Sequence, residues 1–243
     1  MFGAGRSAEP AATGKQGQNN GVSNSLATVL DPTGGAAESY RTLRTNLFYA
    51  LVDDPPRVIV MTSPGAGEGK STTCANLGVV LAQAGKSTLI LDCDLRRPQV
   101  HRVFGLRNLR GVTDILRGEA ELSEVCQEPL PGLKTATAGS LPPNPTELVG
   151  SSRFAEIVSR ARQTFDYVLI DAPPVEMVSD PSIIAVQADG VLLVLDAQNT
   201  RKGALRRSVR SLRTVGLNVL GTVMNNVNVS EGGYSRNQAY TYK

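Results

Sequence analysis

Continuous apolar runs punctuate the chain, and amphipathic stretches fill the spaces between them. Val58–Met61, Ser87–Leu91, Tyr167–Ile170, Val191–Leu195 and Asn218–Met224 read as strands, with a further strand from Gly132 to Ala138. Runs that do not alternate with polar residues belong to strands covered on both faces, as in a parallel sheet between helices. The stretches between them repeat at helical spacing. Leu77, Val80, Leu81 and Ala84 form one stripe, as do Phe154, Ile157, Val158 and Ala161 within a predicted helix from Thr146 to about Gln163. Leu205, Val209 and Leu212 mark a helix from Arg201 to Val215, and Gly111–Gly118 reads as a short helix closed by glycine. Tyr40, Leu43, Leu47 and Leu51 mark a helix over 38–51. About thirty residues separate the first two strands, the spacing of a βαβ unit. The pattern predicts an α/β protein with a doubly wound, mostly parallel sheet and helices on both faces.

The two ends differ from this pattern. Residues 1–25 are rich in Gly, Ala, Ser, Asn and Gln, and are expected to be a disordered leader. Residues 26–37 hold Asp-Pro and Gly-Gly and read as a linker ending in a turn. Residues 26–226 then make the folded domain, and 227–243 a polar, flexible tail. That tail holds Tyr234, Tyr240 and Tyr242, half of the six tyrosines.

The first strand runs into Thr62-Ser-Pro-Gly-Ala-Gly-Glu-Gly-Lys-Ser-Thr72, and a helix follows. Strand, glycine-rich turn, Gly-Lys-Ser and helix together make a phosphate-binding loop. Gly65, Ala66, Gly67, Glu68 and Gly69 offer backbone N–H groups to phosphate oxygens, backed by the positive helix end at Lys70, Ser71 and Thr72. Lys70 reaches the β and γ phosphates, and the Ser71 hydroxyl ligates Mg²⁺. Pro64 stands where the pattern wants glycine. The second strand ends in Asp92-Cys-Asp94, two carboxylates on one side of the chain, suited to holding a metal-bound water or taking a proton from a hydroxyl. The strand over 167–170 ends in Asp171, a Walker-B carboxylate for Mg²⁺. Asn225 and Asn226 end the last strand near the base-binding edge, where one of them, Asn225 first, is expected to hydrogen-bond adenine.

Charge and cysteine usage narrow the classes. A net charge of +3 does not support nucleic-acid binding. No apolar run approaches a membrane span, and no charged-then-apolar leader opens the chain. Cys74, Cys93 and Cys126 are odd in number and lack metal spacing, as expected of reduced cytoplasmic thiols. His101 is the single histidine, which disfavours a Ser-His-Asp site. The helix over 201–215 bears Arg201, Lys202, Arg206, Arg207, Arg210 and Arg213 and no acidic residue. That pattern fits a solvated face, or a docking surface for an acidic partner or the anionic inner leaflet. Glu38, Arg41 and Arg44 flank the apolar stripe of their helix, as a solvated edge with one ion pair or as a subunit contact.

Together these residues resemble the bacterial tyrosine kinases of capsule and exopolysaccharide export, in their separate cytoplasmic form. The likeness runs from about residue 36 to the C-terminus. It is carried by Glu38-x-x-Arg41-x-x-Arg44, the phosphate loop, Leu89-Ile-Leu-Asp92-Cys-Asp94-Leu-Arg96-Arg-Pro98, Pro142-Pro-Asn-Pro145, Val168-Leu-Ile-Asp171-Ala-Pro173 and the terminal tyrosines. The first loop position is often not glycine in that family. The resemblance implies an ATP- and Mg²⁺-dependent kinase in which Lys70 holds phosphates, and Ser71, Asp92 and Asp171 organise the metal. Asp92 or Asp94 would orient or deprotonate the attacking tyrosine. It implies autophosphorylation of Tyr234, Tyr240 and Tyr242 and closure of subunits into a ring through Glu38, Arg41 and Arg44. A transmembrane co-polymerase partner would activate the kinase and recruit it to the inner face of the membrane, and a cognate tyrosine phosphatase would reverse it. The alternatives are a MinD/ParA-type partitioning ATPase, whose lysine five positions before the loop lysine is Gly65 here, and a non-catalytic nucleotide-gated assembly module.

Overall fold

The computed structural model describes residues 23–49 and 55–227. The chain opens with α1 (Ala27–Leu30) and α2 (Gly35–Tyr49), then β1 (Val58–Thr62), α3 (Lys70–Gln83), β2 (Thr88–Asp92) and α4 (Val100–Phe104). Next come α5 (Val112–Arg117), α6 (Leu122–Val125), β3 (Gln127–Leu130), β4 (Leu133–Ala136), α7 (Pro145–Val149) and α8 (Ser152–Thr164). It closes with β5 (Tyr167–Asp171), α9 (Asp180–Ala185), β6 (Gly190–Asp196), α10 (Lys202–Thr214) and β7 (Val219–Asn225).

The strands form one sheet in the order β3-β4-β2-β5-β1-β6-β7. All neighbours are parallel except β3 and β4. β1, β2, β5 and β6 are buried along their whole lengths, as continuous apolar runs require. Successive side chains of a strand point to opposite faces. Val58 and Val60 of β1 accordingly join Phe154, Ile157 and Leu212 in one core, under α5 to α10. Ile59 and Met61 join Leu47, Leu77, Leu81 and Phe104 in the other, under α1 to α4. The chain leaves β1 toward β2 on one side and reaches β6 on the other, so the crevice at the strand C-terminal ends opens above β1 and β5.

Five local readings change. The expected linker over 26–37 contains α1, and Leu26 and Thr28 are buried. Of the expected leader, residues 1–22 lie outside the described residues, whereas Ser23 donates its N–H to the Val103 carbonyl at 3.1 Å. The single helix expected from Thr146 is two helices, because the chain breaks at Gly150 and restarts with Ser151 capping the Phe154 N–H at 3.4 Å. The antiparallel edge strand β3 carries Pro129 and only partial burial, so no apolar run announced it. The helix over 38–51 begins earlier, at Gly35; Leu51, Tyr234, Tyr240 and Tyr242 lie outside the described residues. Among the described residues, no helix is long and apolar enough to cross a membrane.

Candidate active site

The phosphate loop leaves β1 at Thr62 and enters α3 at Lys70, and its turn depends on two glycines. Gly67 and Gly69 hold φ of 80° and 89°, the left-handed region that a Cβ disfavours. A Cβ on Gly69 would also stand 2.3 Å from the Asn225 amide nitrogen. Position 64 makes no such demand. The single non-glycine with positive φ among the described residues is Asn226, so proline's fixed negative φ suits the loop's first position. Glu68 ties the loop internally, its Oε1 accepting the Gly65 N–H at 3.0 Å, and burial raises its carboxyl above the usual range.

The charged residues converge behind the loop. Lys70 Nζ lies 2.8 Å from Asp94 Oδ2 and 3.4 Å from Asp171 Oδ1. Ser71 donates its hydroxyl to Asp171 Oδ2 at 2.5 Å. Parallel pairing of β2 with β5 sets Asp92 opposite Asp171 at the strand ends. Asp92 and Asp171 are fully buried, and Asp94 is 3% exposed. Burial, and secondarily the Asp171 charge, pushes the Asp92 carboxyl well above the carboxylate range. Burial raises Asp171 as well, against the pull of Lys70. Burial alone would depress the Lys70 ammonium, but Asp171 and Asp94 outweigh it and hold Lys70 protonated. Asp92 Oδ2 accepts the Val100 N–H at 3.1 Å, while its buried Oδ1 has no protein partner. Asp94 Oδ1 accepts the Arg97 N–H at 2.9 Å, which leaves Oδ2 to Lys70.

A cleft of about 500 Å³ opens onto this cluster. Gly67, Gly69, Lys70, Ser71, Thr72 and Asp94 line it together with Ser23, Arg97, Arg102 and Pro173. Asp92 does not reach the cleft wall; Asp94 does. The structure thus brings together the loop residues, Asp92, Asp94 and Asp171.

Asn225 is tied to the loop. Its amide donates to the Glu68 carbonyl at 2.9 Å and to Thr73 Oγ1 at 3.1 Å. Those donors join the loop to α3, so Asn225 braces the phosphate loop. The three residues expected at a subunit contact divide. Glu38 and Arg41 make an exposed pair at 2.9 Å, whereas Arg44 turns inward and donates to the Val80 carbonyl at 2.9 Å. That carbonyl lies in the last turn of α3, where helix carbonyls lack intrahelical partners.

The role of Asn76 and the partners of Arg96 escaped the sequence reading. Asn76, fully buried on α3, accepts from Thr28 N and Oγ1 at 3.0 and 2.8 Å and donates to the Ser25 and Thr72 carbonyls at 2.9 Å. It fastens the N-terminal strap to the phosphate-loop helix, and a polar residue inside an apolar stripe was its signal. Arg96 forks onto Asp180 at 2.8 and 3.3 Å and onto Thr146 at 2.9 Å, fixing the segment after Asp94. Its hydrogen bonds hold the Asp180 carboxyl below the usual range despite the opposing effect of burial.

The ParA family, described as NUBPL iron-transfer P-loop NTPase, matches residues 55–240. Tyrosine-protein kinase YwqD of Bacillus subtilis is 36% identical over 218 residues, covering 89% of this chain and 92% of that protein. The chain belongs to the bacterial tyrosine kinases, within the ParA-like P-loop NTPases. The solved kinase domain of Escherichia coli tyrosine kinase ETK superposes with a TM-score of 0.81 at 30% identity, covering 89% of this chain and 84% of that one. Tyrosine-protein kinase wzc of Salmonella typhimurium is 35% identical over 90% of this chain, which spans 30% of its length. A bacterial tyrosine kinase of this superfamily binds a nucleotide, typically with Mg²⁺.

Proposed function

We propose that the protein transfers the γ-phosphoryl group of ATP to tyrosine hydroxyls, first to Tyr234, Tyr240 and Tyr242 of its own tail, and so regulates polysaccharide export. The observation that carries this reading is the pairing of Lys70 with Asp94 at 2.8 Å on the wall of the cleft. In this pairing each charge neutralises the other. Phosphate oxygens on the loop compete for the Lys70 ammonium and draw it away from Asp94. Asp94 Oδ2 is then free to accept the proton of an incoming tyrosine, while Arg97 N–H still holds Oδ1 in place. Lys70 meanwhile meets the charge that grows on the transferred group. ATP binding thereby arms the base in the same motion that secures the phosphates.

Asp92 serves the metal side. Its partnerless buried Oδ1, Asp171 and the Ser71 hydroxyl are all oxygen donors, the set that Mg²⁺ prefers. Bound there, Mg²⁺ would neutralise charge on the β and γ phosphates. Asn225 and Glu68 keep the loop shaped for the nucleotide. Glu38 and Arg41 join subunits into a ring, and a membrane co-polymerase activates the kinase at the inner face of the membrane. A cognate phosphatase resets the tail.

Mixing two variants tests the reading. Lys70→Met protein with an intact tail is incubated with active protein carrying Tyr234→Phe, Tyr240→Phe and Tyr242→Phe, together with ATP and the membrane partner. Phosphotyrosine is expected on the Lys70→Met chain. Its absence, while wild-type protein labels well, would refute transfer between subunits; nucleotide-dependent assembly without any phosphotyrosine would refute the kinase reading.

A further inference from the structure

The α10 side of the molecule carries a surface that phosphotransfer leaves unused. Arg206, Arg210 and Arg213 stand at i, i+4 and i+7 on α10, one exposed stripe along its outer face. Among the described residues none of the three has a salt-bridge partner, whereas neighbouring Arg207 forks onto Glu176 at 2.9 and 3.1 Å. The stripe borders a shallow, open groove of about 500 Å³ on the face of α10, lined also by Leu205, Val209 and Thr214. α10 has no acidic residue to neutralise it. Free guanidinium groups beside apolar side chains suit a ligand that is both aromatic and multiply anionic.

The chain itself delivers such a group to this place. β7 ends at Asn225, paired with Asp196 at the end of β6. Gln198 donates to the Asn226 carbonyl at 3.1 Å, and Asn226 to Asp196 Oδ2 at 3.1 Å. The same loop leads directly into α10, so the described chain ends at Val227 beside the loop that opens that helix. The thirteen residues from Asn228 to Tyr240 span at most about 45 Å, while α10 is only about 20 Å long.

We propose that this groove is the docking site for the phosphorylated C-terminal tail of the same chain, with the phosphates of Tyr240 and Tyr242 on Arg206, Arg210 and Arg213. The inference rests on the reading above that these tyrosines are phosphoacceptors. Each phosphate brings about −1.5 to −2 charges and three acceptor oxygens, matched to the guanidinium fork. At i and i+2 of an extended segment, Tyr240 and Tyr242 project to one side roughly 6.6 Å apart. Arg206 and Arg210 are separated by about 6 Å along the helix axis. The rings settle on Leu205 and Val209. Tethering makes the encounter intramolecular, which favours the tail over any free anion. Docking holds a spent tail on the side of the sheet opposite α2 and α3, so it no longer competes for the cleft.

A synthetic peptide of residues 228–243 phosphorylated on Tyr240 and Tyr242, and its unphosphorylated twin, test this by fluorescence anisotropy. The protein is the full chain with Tyr234→Phe, Tyr240→Phe and Tyr242→Phe, without nucleotide. The phosphopeptide should bind at least about tenfold more tightly than the twin, through charge-assisted bonds that the twin lacks. Arg206→Glu, Arg210→Glu and Arg213→Glu together should abolish that preference. A companion variant with lysine at the three positions keeps the charge, loses the planar fork and should bind with intermediate affinity. Circular dichroism confirms folding, and the lysine variant decides the matter if the glutamate variant unfolds. Equal affinity for the two peptides, or wild-type affinity in a folded variant, would overturn the proposal. Binding to phosphatidylserine vesicles without phosphopeptide binding would also overturn it and assign the face to a membrane. No turnover is needed, so a failed phosphotransfer assay and a failed peptide titration remain separate results.

Discussion

Lys70 and Arg41 each hold a carboxylate at nearly the same distance, 2.8 Å to Asp94 and 2.9 Å to Glu38. Their surroundings differ completely. Behind the phosphate loop the two side chains are 10% and 4% exposed, and on α2 they are 30% and 68% exposed. Water screens the second pair and keeps its contribution within a few tenths of a kcal/mol. The first pair stands beside two further buried carboxylates, Asp92 and Asp171, where each charge alters the protonation of the others. Equal geometry therefore has opposite consequences: a buried, mutually coupled cluster in one place, a water-screened contact in the other.

Removing the buried cation should have the largest effect. Lys70→Met is expected to lower phosphotransfer by about 10²–10³-fold or more, the scale set by losing one donor to the developing charge. A folded Lys70→Met protein with near-normal activity would dissolve the contrast between the two pairs.

Asp92→Asn sharpens it through pH. The native carboxyl titrates above its unfolded value, because of burial and then Asp171. The folded state keeps a proton that the unfolded state has already released. That stabilisation is complete below the unfolded value near 3.8 and is lost as pH rises through the native one. Replacing Asp92 with neutral Asn should therefore raise the Tm of the nucleotide-free protein at neutral pH, with the two melting curves converging in acid. The additional Tm gain that Mg²⁺ gives with ATP should disappear. A lower Tm than wild type at neutral pH would mean that the charge is compensated in the native state.

Within α2 the effects should be smaller and should separate residue by residue. Arg44→Ala removes a charged donor from the half-buried Val80 carbonyl and should cost about 1–2 kcal/mol in denaturant unfolding. Replacing Glu38 and Arg41 by Ala should cost no more than about 0.5 kcal/mol. The size of the assembly by light scattering should nevertheless fall toward the monomer. If Arg44→Ala proves as mild as the Glu38 and Arg41 changes, its inward hydrogen bond contributes nothing to stability.

Much of this was legible in residue order, where local physics is decisive. The phosphate loop needs glycine at the left-handed positions 67 and 69, a cation and a hydroxyl in consecutive places, and an apolar run ahead of them. Continuous apolar runs this short and this rich in Val, Ile and Leu fit covered strands, so β1, β2, β5 and β6 were readable, with Asp92 and Asp171 at the ends of β2 and β5. Other features depend on partners far along the chain. Asn76 meets Thr28 across 48 residues, and Asn225 meets Glu68 across 157. Composition marked residues 23–37 as polar and loose, yet Leu26 and Thr28 are buried because Asn76 supplies the hydrogen bonds that their segment lacks.

By itself, then, the sequence determined the α/β class, the loop chemistry and the set of carboxylates, because short-range sterics and periodic burial speak through neighbouring residues. Only the tertiary structure decided which carboxylate reaches the cleft and which stays sealed with a partnerless oxygen. It also decided that Arg44 reaches inward to the Val80 carbonyl while Arg41 pairs with exposed Glu38, and that Asn225 braces the loop. Those outcomes depend on the order in which strands are laid side by side, and on which donors that order leaves within about 3 Å of an acceptor.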